Sequence, residues 1–222
     1  MRHAFSRAPV TVGLLIAIAA VWLAELRDYE DMLIRGAIVP GMLARGELWR
    51  IFTAMFLHAS WMHWAANSFT LYQLGMLYEA MFGSKRFALV YFVSGAVASI
   101  ASSLRVDTAS VGASGAILGI LGAFFFSIRR SPQWRHQPWT KNLISQLMFW
   151  AFLNLAIGFY ASDYIDNTAH VAGMVTGLIL GLIPHRVPPP PPSTTVVDVH
   201  PYDDFTASSG SAAGPADRRD GH

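Results

Sequence analysis

One serine in this chain has the surroundings of a nucleophile. Ser114 lies in the run Gly112-Ala113-Ser114-Gly115, where a loop leads into a long apolar stretch. A serine hydroxyl attacks a carbonyl carbon efficiently only when a base accepts its proton and donors stabilise the oxyanion that forms. Polar groups inside apolar segments are costly, so the setting of Ser114 indicates a functional group rather than ordinary polar surface.

Suitable partners for this serine occur near the beginning of two other apolar stretches. His63 and Asn67 are four residues apart and therefore share one face of a helix. His170 comes near the beginning of the last apolar stretch. In this interpretation His170 accepts the proton of Ser114, and His63 and Asn67 donate hydrogen bonds to the oxyanion. Free N–H groups at the helix start beside Ser114 favour the same charge.

Each of these residues has a structural explanation when it is taken alone. Ser114 can be a small packing residue, His63 and His170 can be satisfied interfacial groups, and Asn67 can bond a neighbouring helix. Convergence of all four at one depth is what favours catalysis. Asp166, four residues before His170, is expected in a loop near water. The prediction is therefore a dyad and not a triad.

Composition places these residues in a membrane protein. The chain has 222 residues, of which 53% are hydrophobic and 14% are charged, and its mean hydropathy is +0.38. Soluble domains carry about 25% charged residues. The absence of cysteine excludes a disulfide framework, a thiolate metal site and a cysteine nucleophile. No basic patch indicates nucleic-acid binding, and no pattern predicts a cofactor or a metal.

Six apolar stretches approach the length of about 20 residues that crosses a bilayer, which predicts an all-α membrane protein with a six-transmembrane-helix bundle. They are approximately Pro9–Leu26, Met62–Phe82, Phe87–Leu104, Ser114–Ile128, Leu143–Tyr160 and Thr168–Pro184. The first stretch could be a cleaved signal, but its apolar run continues through Trp22 and Leu23, which favours a retained span.

Lysine and arginine positions predict the orientation of this bundle. With the amino terminus inside, 11 of these residues lie in inner segments and 5 in outer segments, which predicts two cytoplasmic termini. The second, fourth and sixth spans then begin at the outer face, and His63, Ser114 and His170 lie at similar depth. The fourth span, at about 22 Å, is shorter than a core of about 30 Å, so Ser114 should be recessed.

Glycine spacing indicates which helices pack closely. Gly115 and Gly119 on the fourth span, and Gly173, Gly177 and Gly181 on the sixth, form ridges that permit close backbone approach. Such spacing is common in membrane helices and can serve packing alone. If the two ridges face each other, Ser114 and His170 are held at short range.

Two regions lie outside the predicted spans. Residues 27–61 are rich in apolar side chains, so they should pack beside the spans as a partly membrane-embedded element. After the membrane domain of residues 1–187, residues 188–222 begin with five prolines and continue with small polar residues, which predicts a disordered cytoplasmic tail. This tail is either a spacer or a ligand for a proline-recognition module.

The combination of motifs resembles the rhomboid family of intramembrane serine proteases. The family pattern is matched by Gly112-Ala113-Ser114-Gly115, His63-xxx-Asn67, Ala169-His170-xx-Gly173-xxx-Gly177 and Trp49-Arg50, and the likeness extends from about Pro9 to Pro184. The resemblance implies that Ser114 is the nucleophile and His170 the base. It makes His63, Asn67 and the Ser114 backbone N–H the oxyanion donors, with Trp49, Arg50, His58 and Glu79 in structural roles.

The resemblance also implies a biological setting. It points to the six-span bacterial form, in the inner membrane, acting on single-span membrane proteins near their outer membrane boundary. The oligomeric state is not indicated. One departure is Leu118, four residues after Ser114, where some relatives have a tyrosine stacked on the catalytic histidine. Other packing must then restrain His170.

Rival functions fit the sequence less well. A zinc protease needs His-Glu-xx-His, which is absent, and every aspartate lies in a predicted loop or tail, against an aspartyl protease. A six-helix transporter would have broken helices in corresponding halves and charged groups at mid-depth, and the sequence indicates neither. The stronger alternative is a catalytically silent rhomboid-like protein that binds membrane clients, although such proteins usually lack the serine or the histidine that this chain retains.

Overall fold

A computed structural model describes residues 8–104, 109–160 and 165–184. Every described residue belongs to a single compact unit. The proline run and the tail predicted for residues 188–222 lie outside the described residues. So do Arg105 and the terminal arginines that entered the charge count.

Within the described residues the chain is helical and contains no strand, as predicted for an all-α protein. The helices are α1 (Pro9–Glu25), α2 (Tyr29–Gly36), α3 (Arg50–Thr53), α4 (Trp61–Phe82), α5 (Ser84–Ser103), α6 (Ser114–Arg130), α7 (Pro132–Arg135), α8 (Thr140–Tyr160) and α9 (Asn167–Leu182). Six of them, α1, α4, α5, α6, α8 and α9, coincide with the predicted apolar stretches to within about three residues at most ends.

Local signals in the sequence account for these helix boundaries. Pro9 is the first residue of α1, where its missing N–H costs nothing. The Ser60 hydroxyl accepts a hydrogen bond from the His63 backbone N–H at 3.2 Å, which caps α4. Gly83, with a φ of 86°, turns the chain directly from α4 into α5.

The surface of the bundle suits a lipid environment. In the described residues α5 and α8 are each long and apolar enough to cross a bilayer, and α1 and α9 are apolar but shorter. On α8 five aromatic side chains are more than half exposed: Phe149, Trp150, Phe152, Phe159 and Tyr160. In water so large an apolar patch would drive association, whereas in a membrane it contacts acyl chains.

Helix α6 is the centre of the bundle. Residues 115–124 are all buried, and α6 packs against α9, α5 and α4. Phe124 of α6 meets Tyr78 of α4 edge to face, with ring centroids 4.9 Å apart. The 17 residues of α6 give it a length of about 26 Å, still short of a bilayer core of about 30 Å.

The two predicted glycine ridges face each other, which confirms this part of the sequence analysis. A Cβ added to Gly119 of α6 would lie 3.1 Å from the Gly173 carbonyl oxygen of α9. A Cβ added to Gly177 of α9 would lie closer still to the Gly119 carbonyl oxygen. Only residues without a side chain permit this separation, and it brings the first turn of α9 beside the first turn of α6.

Residues 27–61 pack as an ordered element, as the apolar content of this loop predicted. Ile38, Met42 and Ala54 form a small buried cluster of their own. The nearly buried Arg50 guanidinium donates to the Ala37 carbonyl at 2.8 Å and forms an ion pair with Glu47 at 2.5 Å. The Trp49 indole N–H donates to the Arg35 carbonyl at 3.0 Å, so both residues anchor this loop.

Gly177→Ala should destabilise the protein strongly, because its new methyl group would meet the α6 backbone, which cannot move aside like a flexible side chain. Overpacking of this kind costs about 1–3 kcal/mol. Thermal unfolding in mild detergent measures the effect. Gly13→Ala is the matched control, since nothing lies within 4 Å of its added Cβ and alanine is the better helix former. Equal midpoints for both variants would contradict this packing.

Candidate active site

The structure brings Ser114 and His170 into direct contact. Ser114 is the first residue of α6 and His170 lies in the first turn of α9. The Ser114 Oγ is 2.9 Å from the His170 Nε2, a normal hydrogen-bond distance. His170 is buried, whereas Ser114 is partly exposed. The pair therefore combines a shielded base with a hydroxyl that a substrate can reach.

The loop before Ser114 requires glycine at position 112. Gly112 has a φ of 121°, and an added Cβ would lie 2.6 Å and 2.7 Å from the Cε1 and Nε2 atoms of His63. Its backbone N–H donates to the Ala54 carbonyl at 2.8 Å, and Ser110 pairs with Ile38 through two backbone hydrogen bonds. Residues 27–61 thus hold the chain that leads into Ser114, and the His63 imidazole packs directly against that chain at Gly112.

Asn67 lies one turn further along α4, on the same face as His63. Its Nδ2 donates to the His63 carbonyl at 3.1 Å. The same nitrogen would be 3.6 Å from a Cβ at Gly112, so the amide is close to the loop before Ser114. An amide has two N–H donors. The predicted residues His63, Asn67, Ser114 and His170 therefore gather around one short segment of backbone.

His58 supports this arrangement by packing against His63. Its ring is fully buried and meets the His63 ring edge to face, with centroids 5.2 Å apart. Its backbone N–H donates to the Glu25 carboxylate at 3.0 Å. Burial, followed by the neighbouring His63, lowers the pKa of His58 to about 4. His58 is therefore neutral at pH 7, and its packing agrees with the structural role expected for it.

A comparison with known protein families identifies the family of this chain. The sequence profile of the Rhomboid domain matches residues 45–187, a range that includes His63, Asn67, Ser114 and His170. The chain belongs to the rhomboid family. Rhomboids are multi-pass membrane proteins, in agreement with the apolar outer surface of the helical bundle.

Curated relatives come from bacteria and plants. The chain is 34% identical over 148 residues to the rhomboid protease GluP of Bacillus subtilis, which is 67% of this chain and 28% of GluP. It is 39% identical over 143 residues to the mitochondrial RHOMBOID-like protein 6 of Arabidopsis thaliana, or 62% of this chain and 44% of that protein. The Bacillus subtilis protein YdcA is 29% identical over 180 residues, covering 79% of this chain and 88% of YdcA. The chain thus spans less than half of the length of the first two relatives.

Glu79 of this rhomboid is structural, as expected. It is buried at 1% exposure and accepts hydrogen bonds from the Val10 N–H at 2.9 Å and the Thr11 N–H at 2.7 Å. The Thr11 hydroxyl donates to the same carboxylate at 2.7 Å. A negative charge is favourable at the amino-terminal end of a helix. Glu79 therefore ties α4 to the beginning of α1.

One polar pair near His170 was missed by the sequence analysis. Asp166 was expected near water, but it is half-buried, caps α9 through the Ala169 N–H at 3.1 Å, and accepts a hydrogen bond from the Ser102 hydroxyl of α5. An aspartate just before the helix was a capping signal. Its contact with Ser102, 64 positions away, depends on the packing of α5 against α9 and has no local signal.

Proposed function

We propose that this rhomboid is an intramembrane serine protease in which Ser114 is the nucleophile and His170 the general base. The observation that carries the proposal is the 2.9 Å contact between the Ser114 hydroxyl and the His170 Nε2. A serine paired with a histidine at this distance is the arrangement that activates a hydroxyl. The name of the relative GluP, a rhomboid protease, supports the same activity.

The reaction would proceed through an acyl-enzyme. With its proton on Nδ1, His170 accepts the Ser114 proton at Nε2 as Oγ attacks the scissile carbonyl carbon. The tetrahedral intermediate collapses, the peptide C–N bond breaks, and His170 gives the proton to the leaving amine. Water then attacks the ester, again losing its proton to His170, and the carboxylate product leaves with Ser114 restored.

The oxyanion would be stabilised from two directions. The backbone N–H of Ser114 is among the first N–H groups of α6, which have no carbonyl partner within the helix. The Asn67 amide and the His63 ring approach from α4 beside Gly112. Donors that are already in place need no reorganisation when charge develops, which is why such sites accelerate acyl transfer.

The proposal extends to the membrane setting. The six long helices would each cross the bilayer, with both termini in the cytoplasm of a bacterium and the Ser114 site opening near the outer face. The substrates would be single-span membrane proteins cut close to that boundary. A helical substrate bonds its backbone to itself, so it must unwind locally before Ser114 can attack.

A detergent assay tests the proposal directly. Purified protein is incubated with a generic single-span substrate that carries a tag at each end, and the products are resolved on a gel. Specific cleavage that requires Ser114 supports a protease. Binding of the substrate without cleavage would instead favour the alternative, a silent rhomboid-like protein that binds membrane clients.

Asn67→Ala should lower turnover without abolishing it. Loss of one oxyanion donor costs about 100- to 1,000-fold in kcat, and the remaining donors would retain a part of the activity. Steady-state cleavage kinetics in detergent measure the effect. Asn154→Ala is the matched control, since the Asn154 amide also donates to the carbonyl four residues earlier, at 2.8 Å, but lies exposed on α8. A change in KM alone would contradict the role of Asn67.

A further inference from the structure

The Asp166 carboxylate links the two helices that border the proposed base. One oxygen, Oδ1, accepts from the Ala169 N–H, one residue before His170. The other oxygen, Oδ2, accepts from the Ser102 hydroxyl, which is buried near the end of α5. The Asp166 carbonyl also accepts from the His170 N–H at 3.1 Å. The first turn of α9 is therefore tied to α5 through a single side chain.

His170 needs a nearby negative charge when its ring becomes protonated. Its Nδ1 is buried and has no hydrogen-bond partner within the described part of the chain. When His170 takes the Ser114 proton, the ring becomes a cation in a site with little access to water, which is costly without a nearby negative charge. Within the described residues, the ionisable side chains that interact electrostatically with His170 are Asp166 and His63, and of these two Asp166 is the acidic one.

We propose that Asp166 is a positioning residue for the proteolytic reaction: held by Ser102, it fixes the first turn of α9 and supplies the negative charge that stabilises the His170 imidazolium. Asp166 acts on His170 through the electrostatic interaction of its carboxylate and through its cap of α9, without a direct hydrogen bond to the imidazole ring. The inference rests on the proposed function, because a silent protein would never form the imidazolium. It adds a third contributor to the Ser114–His170 pair.

Asp166→Asn separates charge from capping, because asparagine caps helices as well as aspartate does. We expect kcat to fall by about 10- to 100-fold, as the loss of one partly buried charge near the imidazolium predicts, with KM within about twofold of wild type. The thermal midpoint should not change. Asp28→Asn is the matched control, since Asp28 caps α2 in the same way, through the Asp31 N–H at 3.3 Å, but on a helix within residues 27–61.

Ser102→Ala tests the link between α5 and Asp166. We expect a smaller fall in kcat than for Asp166→Asn, and the double variant should be no worse than Asp166→Asn alone, because Ser102 acts only through Asp166. Ser103→Ala is the control, since the Ser103 hydroxyl bonds the Ile100 carbonyl of its own helix at 2.6 Å. Additive losses in the double variant would overturn the link.

The outcomes distinguish this inference from the proposed function. If the wild-type protein cleaves and Asp166→Asn has the same kcat, Asp166 is a helix cap only and the inference is wrong. A fall in kcat that is matched by a lower thermal midpoint would also overturn it, because the loss would then be structural. If the wild-type protein does not cleave any substrate, the proposed function fails and the inference fails with it.

Discussion

Ser114→Ala is expected to abolish cleavage of a single-span substrate. Without the Oγ atom no acyl-enzyme can form, and in serine proteases the loss of the nucleophile costs on the order of a million-fold in kcat. The measurement is product formation in detergent over a long incubation, compared with wild type at equal concentration. No other hydroxyl in the described part of the chain is in hydrogen-bond contact with His170, so no second serine there is placed to replace Ser114.

Folding should survive this substitution. Ser114 is partly exposed and lies at the very beginning of α6, so removing one hydroxyl leaves the glycine packing of α6 against α9 intact. Size-exclusion elution and the thermal midpoint should match those of wild type. Ser110→Ala, on the same loop, is the control, because the Ser110 backbone rather than its hydroxyl pairs with Ile38. Ser114→Ala protein that still cleaves at the wild-type rate would falsify the protease proposal.

His170→Asn should be as inactive as Ser114→Ala. Asparagine preserves polarity and part of the volume of histidine, but its amide cannot accept the Ser114 proton at neutral pH. We therefore expect both cleavage and covalent labelling of Ser114 by a fluorophosphonate to be lost, since each requires an activated hydroxyl. In-gel fluorescence and mass spectrometry of the labelled peptide measure the second effect independently of any substrate.

Matched controls give this second experiment its meaning. His136→Gln replaces an exposed histidine whose ring contacts only the Arg135 side chain among the described hydrogen bonds, and it should label like wild type. His170→Gln should behave like His170→Asn if proton acceptance is what matters. Labelling of His170→Asn at the wild-type rate would show that Ser114 is merely accessible, and the base role of His170 would be wrong.

Much of the fold could be read from local features of the chain. The runs of apolar residues predicted the positions of α1, α4, α5, α6, α8 and α9, because a helix pairs its own backbone N–H and C=O groups and so can place such a run in lipid. Glycine at every fourth position predicted that α6 and α9 would approach closely, since only small residues permit it. Two helix starts also have local signals, since the Ser60 hydroxyl caps α4 and Pro9 occupies the first position of α1.

The candidate site was also visible in the sequence. Residue type, polar character within an apolar stretch and the resemblance to the rhomboid family together predicted four site residues: Ser114, His170, His63 and Asn67. The structure adds the 2.9 Å contact and the packing of His63 against Gly112. The requirement for glycine at position 112 follows from this neighbour and from a φ of 121°, and neither is encoded in the spacing of the motif.

What the sequence by itself determined was therefore which residues form helices, which helix ends are polar, and which helices can touch. Tertiary structure alone decided the partners that come from distant segments. Asp166 was placed near water because an aspartate in a loop usually is. It became half-buried because close packing of α9 against the rest of the bundle carries its carboxylate to Ser102 of α5. Glu79 likewise met Thr11 only through the packing of α4 on α1, since a buried carboxylate takes whatever N–H and O–H donors the fold brings to it.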